Sequence, residues 1–166
     1  SVEFGLVASL GRRPPMSEDE TIVYDFCIEL QRNRSVSDET YARMQSRFGE
    51  RGVAEATLDR LGLRDHVQWV SGVSDAELAA LLRSAEVAVV PSLYEGFSLP
   101  AIEAMACGVP LVATTGGALP EVVGRDGETA LTVPPGDPSA LAVGILRMLG
   151  DAELRARIGT AGRDRV

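Results

Sequence analysis

A chain of 166 residues with 45% hydrophobic and 24% charged residues fits one ordinary globular domain or two very small ones and excludes wholesale disorder. Sixteen basic residues against twenty-four acidic ones give a formal charge of -8. That balance argues against a nucleic-acid groove or an anionic membrane as partner, because both need a local positive excess. Every cation is Arg, so neither a Schiff-base lysine nor a P-loop lysine can operate here. The single His excludes a multi-His metal site. Cys27 and Cys107 form neither a CxxC pair nor a disulfide framework, which suits a reducing, cytoplasmic setting.

Residues 1–10 carry no basic region ahead of their apolar stretch, so no secretory signal is expected there. Periodicity does not decide whether they begin as a buried strand or a helix. Ser17 and Glu20 form a capping box ahead of a helix whose Ile22, Val23, Phe26 and Leu30 make one apolar stripe. Ser37 or Asp38 starts a second helix in which Tyr41, Met44 and Phe48 share a face, interrupted at Gly49 or Gly52. A third, short helix carries Val53, Leu58 and Leu61 and stops near Gly62. This first segment, residues 1–56, reads as helical.

Beyond residue 62 the pattern alternates. Apolar runs predict strands at 66–70, 87–91, 110–114 and 130–133, separated by helices at 75–84, 100–107 and 138–149 and a short helical turn at 119–123. Ser74 with Glu77 makes a second capping box, and Asp137-Pro138 sets an N-cap before proline at the first helical position. Gly108 and Gly150 read as helix stops, and a last helix from 151 to about 162 has Leu154 and Ile158 on its apolar face. Strands that alternate with helices and are themselves nearly all apolar predict an α/β, Rossmann-like, mainly parallel sheet over residues 57–166.

In such sheets ligands bind outside the carboxyl ends of the strands. The informative loop is Pro91-Ser92-Leu93-Tyr94-Glu95-Gly96-Phe97-Ser98-Leu99-Pro100, which runs into a helix holding Glu103. Pro100 at the helix start leaves early backbone N–H groups free for an anion, and Gly96 allows a ligand close to the backbone. Glu95 and Glu103 would repel a phosphate. They are suited instead to accept hydrogen bonds from sugar hydroxyls while the helix N-terminus takes the phosphate. After the next strand comes Thr115-Gly116-Gly117-Ala118-Leu119-Pro120-Glu121, whose glycine pair leaves the sheet at the same edge and whose Glu121 is expected to cap or brace the loop.

The stretches VSDAELAALLRSAEVAVVPSLYEGFSLPAIEAMACGVPLVATTGGALPEVV and VPPGDPSALA resemble the C-terminal half of a family 4 glycosyltransferase, a retaining enzyme of the GT-B architecture. The resemblance covers residues 57–166. It implies that Glu95, as the catalytic residue, meets the donor sugar together with the backbone of Gly96 and Phe97. It also implies that Ser98 and Leu99 offer backbone N–H groups to the diphosphate and that Glu103 holds the ribose hydroxyls. The donor would be a nucleotide-diphosphate sugar, with no metal and no other cofactor. Two departures stand out. The family's Arg and Lys that neutralise the leaving diphosphate have no counterpart, since the chain has no Lys and only Gly11-Arg12-Arg13 offers a substitute. The acceptor-binding domain, with its histidine, is missing as well, and His66 is expected at the surface.

Residues 11–53 are similar to the later helices of the carboxymuconolactone decarboxylase family, which is all-helical and usually oligomeric. Two resemblances meeting near Glu55 imply a chimeric, truncated or artificial sequence, with a possible homo-oligomer surface on the N-terminal helices. Cys27 is expected to be a small core residue. The readings that compete are a nucleotide-sugar-binding half of a glycosyltransferase, a non-catalytic nucleotide-binding or oligomerisation module, and a decarboxylase-like protein whose catalytic residues are absent.

Overall fold

The computed structural model describes residues 15–33 and 35–166. The expectations for residues 1–10 and for Gly11, Arg12 and Arg13 lie outside the described residues. The chain divides into two compact units, Ser1–Val70 and Ser71–Val166. The boundary expected at residue 56 falls inside a helix.

The first unit is built on two helices, α1 (Glu18–Asn33) and α2 (Asp38–Leu61). The Ser17 box forms in both directions: Glu20 N–H donates to Ser17 Oγ at 3.3 Å, and Ser17 N–H donates to Glu20 Oε2 at 2.8 Å. The stripe of α1 buries Ile22, Val23 and Phe26 against Met44 and Val53 of α2, with Cys27, Leu30 and Phe48 packed at the margin. Cys27, expected as a small core residue, lies partly buried at the edge of this core, and burial pushes its thiol above the ordinary value. Tyr41 departs from the expected face and is exposed.

Gly49 breaks α2 with φ 69° and ψ 178°, a conformation essentially reserved for glycine, so the run holds two helical stretches that meet at a kink, as the expected interruption at Gly49 requires. Gly62, at φ 67°, ends it in the left-handed region, where its N–H reaches the Asp59 carbonyl.

The strand expected at 66–70 does not form. Arg64–His66 make a single 3-10 turn, and residues 67–70 have no ladder partner among the described residues, leaving Val67, Trp69 and Val70 exposed. An apolar run becomes a strand only where a neighbour takes its backbone N–H and C=O groups.

The second unit follows the expected alternation closely. Its elements are α3 (Asp75–Ser84), β1 (Ala88–Val90), α4 (Leu99–Ala106), β2 (Leu111–Thr114), α5 (Leu119–Val123), β3 (Leu131–Val133), α6 (Pro138–Gly150) and α7 (Ala152–Arg165). The sheet is fully parallel in the order β1-β2-β3, with Val89 opposite Val112 and Ala113 opposite Thr132. Because side chains alternate along a strand, Leu111 and Ala113 of β2 face one layer, with Ala101, Ala104, Met105, Leu119 and Val123. Val112 faces the other, with Leu131, Met148, Leu154 and Ile158. All four residues of β2 are buried, whereas Val89 on the edge strand β1 is partly exposed.

Gly144 lets α6 press onto the sheet: a Cβ there would stand 3.2 Å from Val112 Cγ1. Three small corrections concern helix ends. Leu99 rather than Pro100 is the first residue of α4, with Ser98 as N-cap. Gly150 belongs to α6, and Asp151 both ends that helix and caps α7, accepting from Leu154 N–H at 2.9 Å. The last helix runs on to Arg165.

Candidate functional site

Parallel pairing puts the carboxyl ends of β1, β2 and β3 on one edge, so the loops 91–98, 115–118 and 134–137 leave the sheet side by side. The first two touch backbone to backbone. A Cβ on Gly116 would lie 2.5 Å from the Leu93 carbonyl oxygen, and one on Gly117 would lie 2.2 Å from that of Glu95. Gly117 also adopts φ 63°. The glycine pair is therefore required by close approach of the neighbouring loop. Across this contact Ala118 N–H donates to the Glu95 carbonyl at 2.8 Å, and Thr114 Oγ1 donates to the Ser92 carbonyl at 2.5 Å. Glu95 is half-buried, and its carboxylate oxygen Oε1 accepts from Ser92 Oγ at 2.7 Å.

Gly96 contrasts with the pair. A Cβ there would meet nothing within 4 Å, so packing does not demand glycine at this position. The space it leaves is open to solvent.

Ser98 is fully buried and caps α4, its Oγ accepting from Ala101 N–H at 3.4 Å. Phe97 and Leu99, on either side, are exposed, at 62% and 60%. Ala101, Ala104 and Met105 turn into the core, and Glu103 lies on the solvent face of α4. A cleft of about 480 Å³ opens beside this region. Gly96 and Phe97 border it from the loop, Ile102 from α4, Ala118, Glu121 and Val122 from α5 and its start, and Arg165 from the end of α7. Among the six sequence-predicted residues, Gly96 and Phe97 line the cleft, while Glu95, Ser98, Leu99 and Glu103 do not.

Glu121 contributes its backbone rather than its side chain: Arg165 donates to the Glu121 carbonyl at 2.7 Å and to that of Val122 at 2.9 Å, closing the end of α5. His66 is exposed at the end of its 3-10 turn, as expected of a surface residue. Among the described residues no group of three or more His, Cys, Asp or Glu could hold a metal ion, and no helix is long and apolar enough to cross a membrane.

Ser92 and Thr114 carry no role in the sequence-based expectations, although Ser92 lies in the loop singled out there. For Ser92 the signal is present, in a hydroxyl three residues before a loop carboxylate. Arg165 carried no signal, because only the return of α7 brings it to α5.

The chain compares with known proteins as follows. The sequence pattern of the glycosyl transferases group 1 family matches residues 49–165. An MMP alpha-(1->4)-mannosyltransferase from Mycolicibacterium hassiacum is 55% identical over 114 residues, which is 69% of this chain and 28% of that protein. Sucrose-phosphate synthase from Thermosynechococcus elongatus shares the fold with a TM-score of 0.64 at 34% identity, over 89% of this chain and 36% of its own. The Anabaena protein HepE, solved in complex with UDP, has a TM-score of 0.63 at 26% identity, over 70% of this chain and 32% of its own. This chain thus spans about a third or less of these relatives. The likeness to sucrose-phosphate synthase covers more of the chain than residues 57–166 supply, so it reaches into the helical first segment. The chain belongs to the glycosyl transferases group 1 family, and its second unit has the GT-B type of fold.

Proposed function

We propose that this chain supplies the donor half of its family's reaction, binding a nucleotide-diphosphate sugar for glycosyl transfer with retention of configuration. The observation that carries the reading is the edge of the parallel sheet. There a half-buried carboxylate, Glu95, is locked in a loop that ends at the N-terminus of α4, with Gly96 facing open space. In this reading Glu95 and the backbone of Gly96 and Phe97 meet the donor sugar. The N-terminus of α4, at Ser98 and Leu99, receives the diphosphate through backbone N–H and helix dipole. Glu103, one turn further on, presents its carboxylate to the ribose diol. Transfer on this scheme uses no metal and no other cofactor, and the leaving diphosphate is met by the helix dipole and an Arg. UDP in the structure of HepE supports a nucleoside diphosphate as the common element.

Acceptor choice resides in the part of the longer relatives that this chain does not span. Orienting the acceptor accounts for much of the rate in a two-substrate reaction, so the chain alone binds a nucleotide diphosphate weakly and transfers no sugar. Its setting in this reading is the cytoplasm. A second reading, a non-catalytic nucleotide-binding or self-associating module, draws on the separate helical core of Ile22, Val23, Phe26, Met44 and Val53. A solution mass measurement tests it.

The deciding experiment is calorimetry with UDP, GDP, ADP and their sugars on the native chain, Glu103→Gln and Glu95→Gln, after circular dichroism confirms the fold. Glu103→Gln is expected to weaken the bare nucleotide and the nucleotide sugar alike. Glu95→Gln should weaken only the nucleotide sugar. A hydrogen bond to a charged acceptor, at roughly 1.5–3 kcal/mol, corresponds to about a tenfold to hundredfold change. Equal losses for both ligands in Glu95→Gln would remove that residue from the sugar, and robust transfer by the chain alone would refute the half-site reading.

A further inference from the structure

Glu95 is held from two sides. Its backbone is fixed by Ala118 N–H at 2.8 Å and by the close approach of Gly117. Its carboxylate is fixed by Ser92 Oγ at 2.7 Å. Ser92 is itself anchored, because its carbonyl accepts from Thr114 Oγ1, a buried hydroxyl on the last residue of β2. The order of attachment therefore runs from the central strand through Thr114 to Ser92, and from Ser92 to the carboxylate.

A Glu side chain in a surface loop has several free torsions and would otherwise sample many rotamers. One hydroxyl donor directed at Oε1 selects among them and leaves Oε2 free of this bond, able to accept from a ligand.

We propose that Ser92 is a positioning residue: it pre-orders the Glu95 carboxylate so that its second oxygen is presented to a hydroxyl of the donor sugar, with Thr114 holding Ser92 in register. The inference rests on the reading of Glu95 as the sugar-facing carboxylate. Immobilising one rotamer-rich side chain costs a binding event about two- to tenfold in affinity, and the native hydrogen bond removes that cost in advance. A donor lacking the sugar makes no contact with Glu95 and gains nothing from the arrangement.

The test uses the full chain and four variants, Ser92→Ala, Ser92→Thr, Thr114→Val and Glu95→Ala, with Ser92→Ala also combined with Glu95→Ala. Each is titrated with UDP-glucose and with UDP. In parallel, carbon-13 relaxation of the Glu95 side chain measures its rotamer averaging without ligand. Ser92→Ala is expected to lose about two- to tenfold in affinity for UDP-glucose, none for UDP, and to show a mobile Glu95 side chain. Ser92→Thr keeps the hydroxyl and should restore both the affinity and the order. Thr114→Val should lose in the same direction by less. Added to Glu95→Ala, the Ser92 change should have no further effect, because the group it positions is gone.

Unchanged UDP-glucose affinity in Ser92→Ala, with a clear loss in Glu95→Ala, would overturn the positioning role and leave the sugar-facing role of Glu95 standing. Equal losses for UDP-glucose and UDP in Ser92→Ala would reduce the bond to general loop stability and also overturn it. If Glu95→Ala binds both ligands as the native chain does, or the native chain binds neither, the reading of the site fails and the inference fails with it.

Discussion

The helical unit and the sheet unit begin helices with the same local device. Ser17 with Glu20 and Ser74 with Glu77 are both closed capping boxes, with nearly identical bond lengths. What lies behind the caps differs. In the first unit two helices bury one stripe against each other, and ion pairs such as Asp25–Arg43 and Asp19–Arg47 link their exposed sides. In the second, a parallel sheet is covered on both faces, and its central strand has no exposed residue. The difference shows that capping sets where a helix starts, while layering sets how firmly the unit holds. It also explains why the candidate site sits where it does. Loops leaving a doubly covered sheet inherit a rigid base, and the 91–98 loop is pinned by the Thr114 hydroxyl at the end of β2 and by Ala118 N–H in the loop that follows it.

The comparison breaks most directly at Leu111, which is fully buried at the centre of the sheet. Leu111→Ala should cost about 2–5 kcal/mol by losing transfer energy and leaving a cavity between close-packed layers. Hydrogen exchange is expected to accelerate across β2 and α4 while the α1 amides keep their protection. Matching acceleration in α1 would show that the two units unfold as one. Met44→Ala makes the reciprocal test in the helical unit. Its cost should fall nearer the low end, about 2–3 kcal/mol, because a two-helix pair with one covered face can settle into the vacated space. Chemical denaturation followed at α1 and at β2 separately measures it.

Smaller effects sharpen the contrast. Ser17→Ala and Ser74→Ala should each cost about 1 kcal/mol, the usual worth of such a cap. A similar loss at both sites would confirm that the local device is equivalent in the two settings. A much larger loss at Ser74 would mean that α3 depends on its cap more than on packing.

The smallest effect is the response to acid. Asp19 is held below its ordinary value by the hydrogen bond from Arg47, Asp59 by that from Arg64, Glu20 by the backbone and hydroxyl of Ser17, and Glu29 by Thr40 and Ser37. In the sheet unit only Glu77, among the groups so affected, is lowered, by Ser74. A lowered carboxylate contributes stability that is fully present above its unfolded value and is lost as pH falls through its folded value. The helical unit should therefore loosen first below the ordinary carboxylate values of 3.8 and 4.5. Glu20 and Glu77 are exposed and Asp19, Glu29 and Asp59 partly so, so the change should be modest and should shrink with added salt. Equal loosening of α1 and β2 on acidification would contradict it.

Much of the architecture was legible because it is written in local chemistry. The boxes at Ser17 and Ser74, the Asp137-Pro138 start and the apolar runs at β1, β2 and β3 each depend on residues within a few positions of one another. The run at 66–70 misled because its composition matches a strand, while strand formation depends on a partner elsewhere in the chain. The site was legible in part for the same reason. The loop, its glutamates and the glycine pair could be found by spacing. That Gly116 and Gly117 are glycine because the backbones of Leu93 and Glu95 lie against them could not.

Local sequence is enough to give the helix starts at Glu18, Asp75 and Pro138, the stop at Gly62, the alternation that makes the second unit α/β, and the loop in which Glu95 and Gly96 lie. Propensity, capping and side-chain periodicity act over short separations, so they need no knowledge of the fold. Which apolar runs pair, where Arg165 closes α5, and how Ser92 is anchored to the sheet depend on the folded chain. Ser92 reaches Glu95 within one loop. The Thr114 bond that anchors Ser92 spans 22 positions, and the Arg165 bonds span 43 and 44. The Thr114 bond exists only after the parallel ladder has brought the strand ends to one edge, and the Arg165 bonds only after α7 has returned to α5, because contacts at such separations depend on how the elements pack.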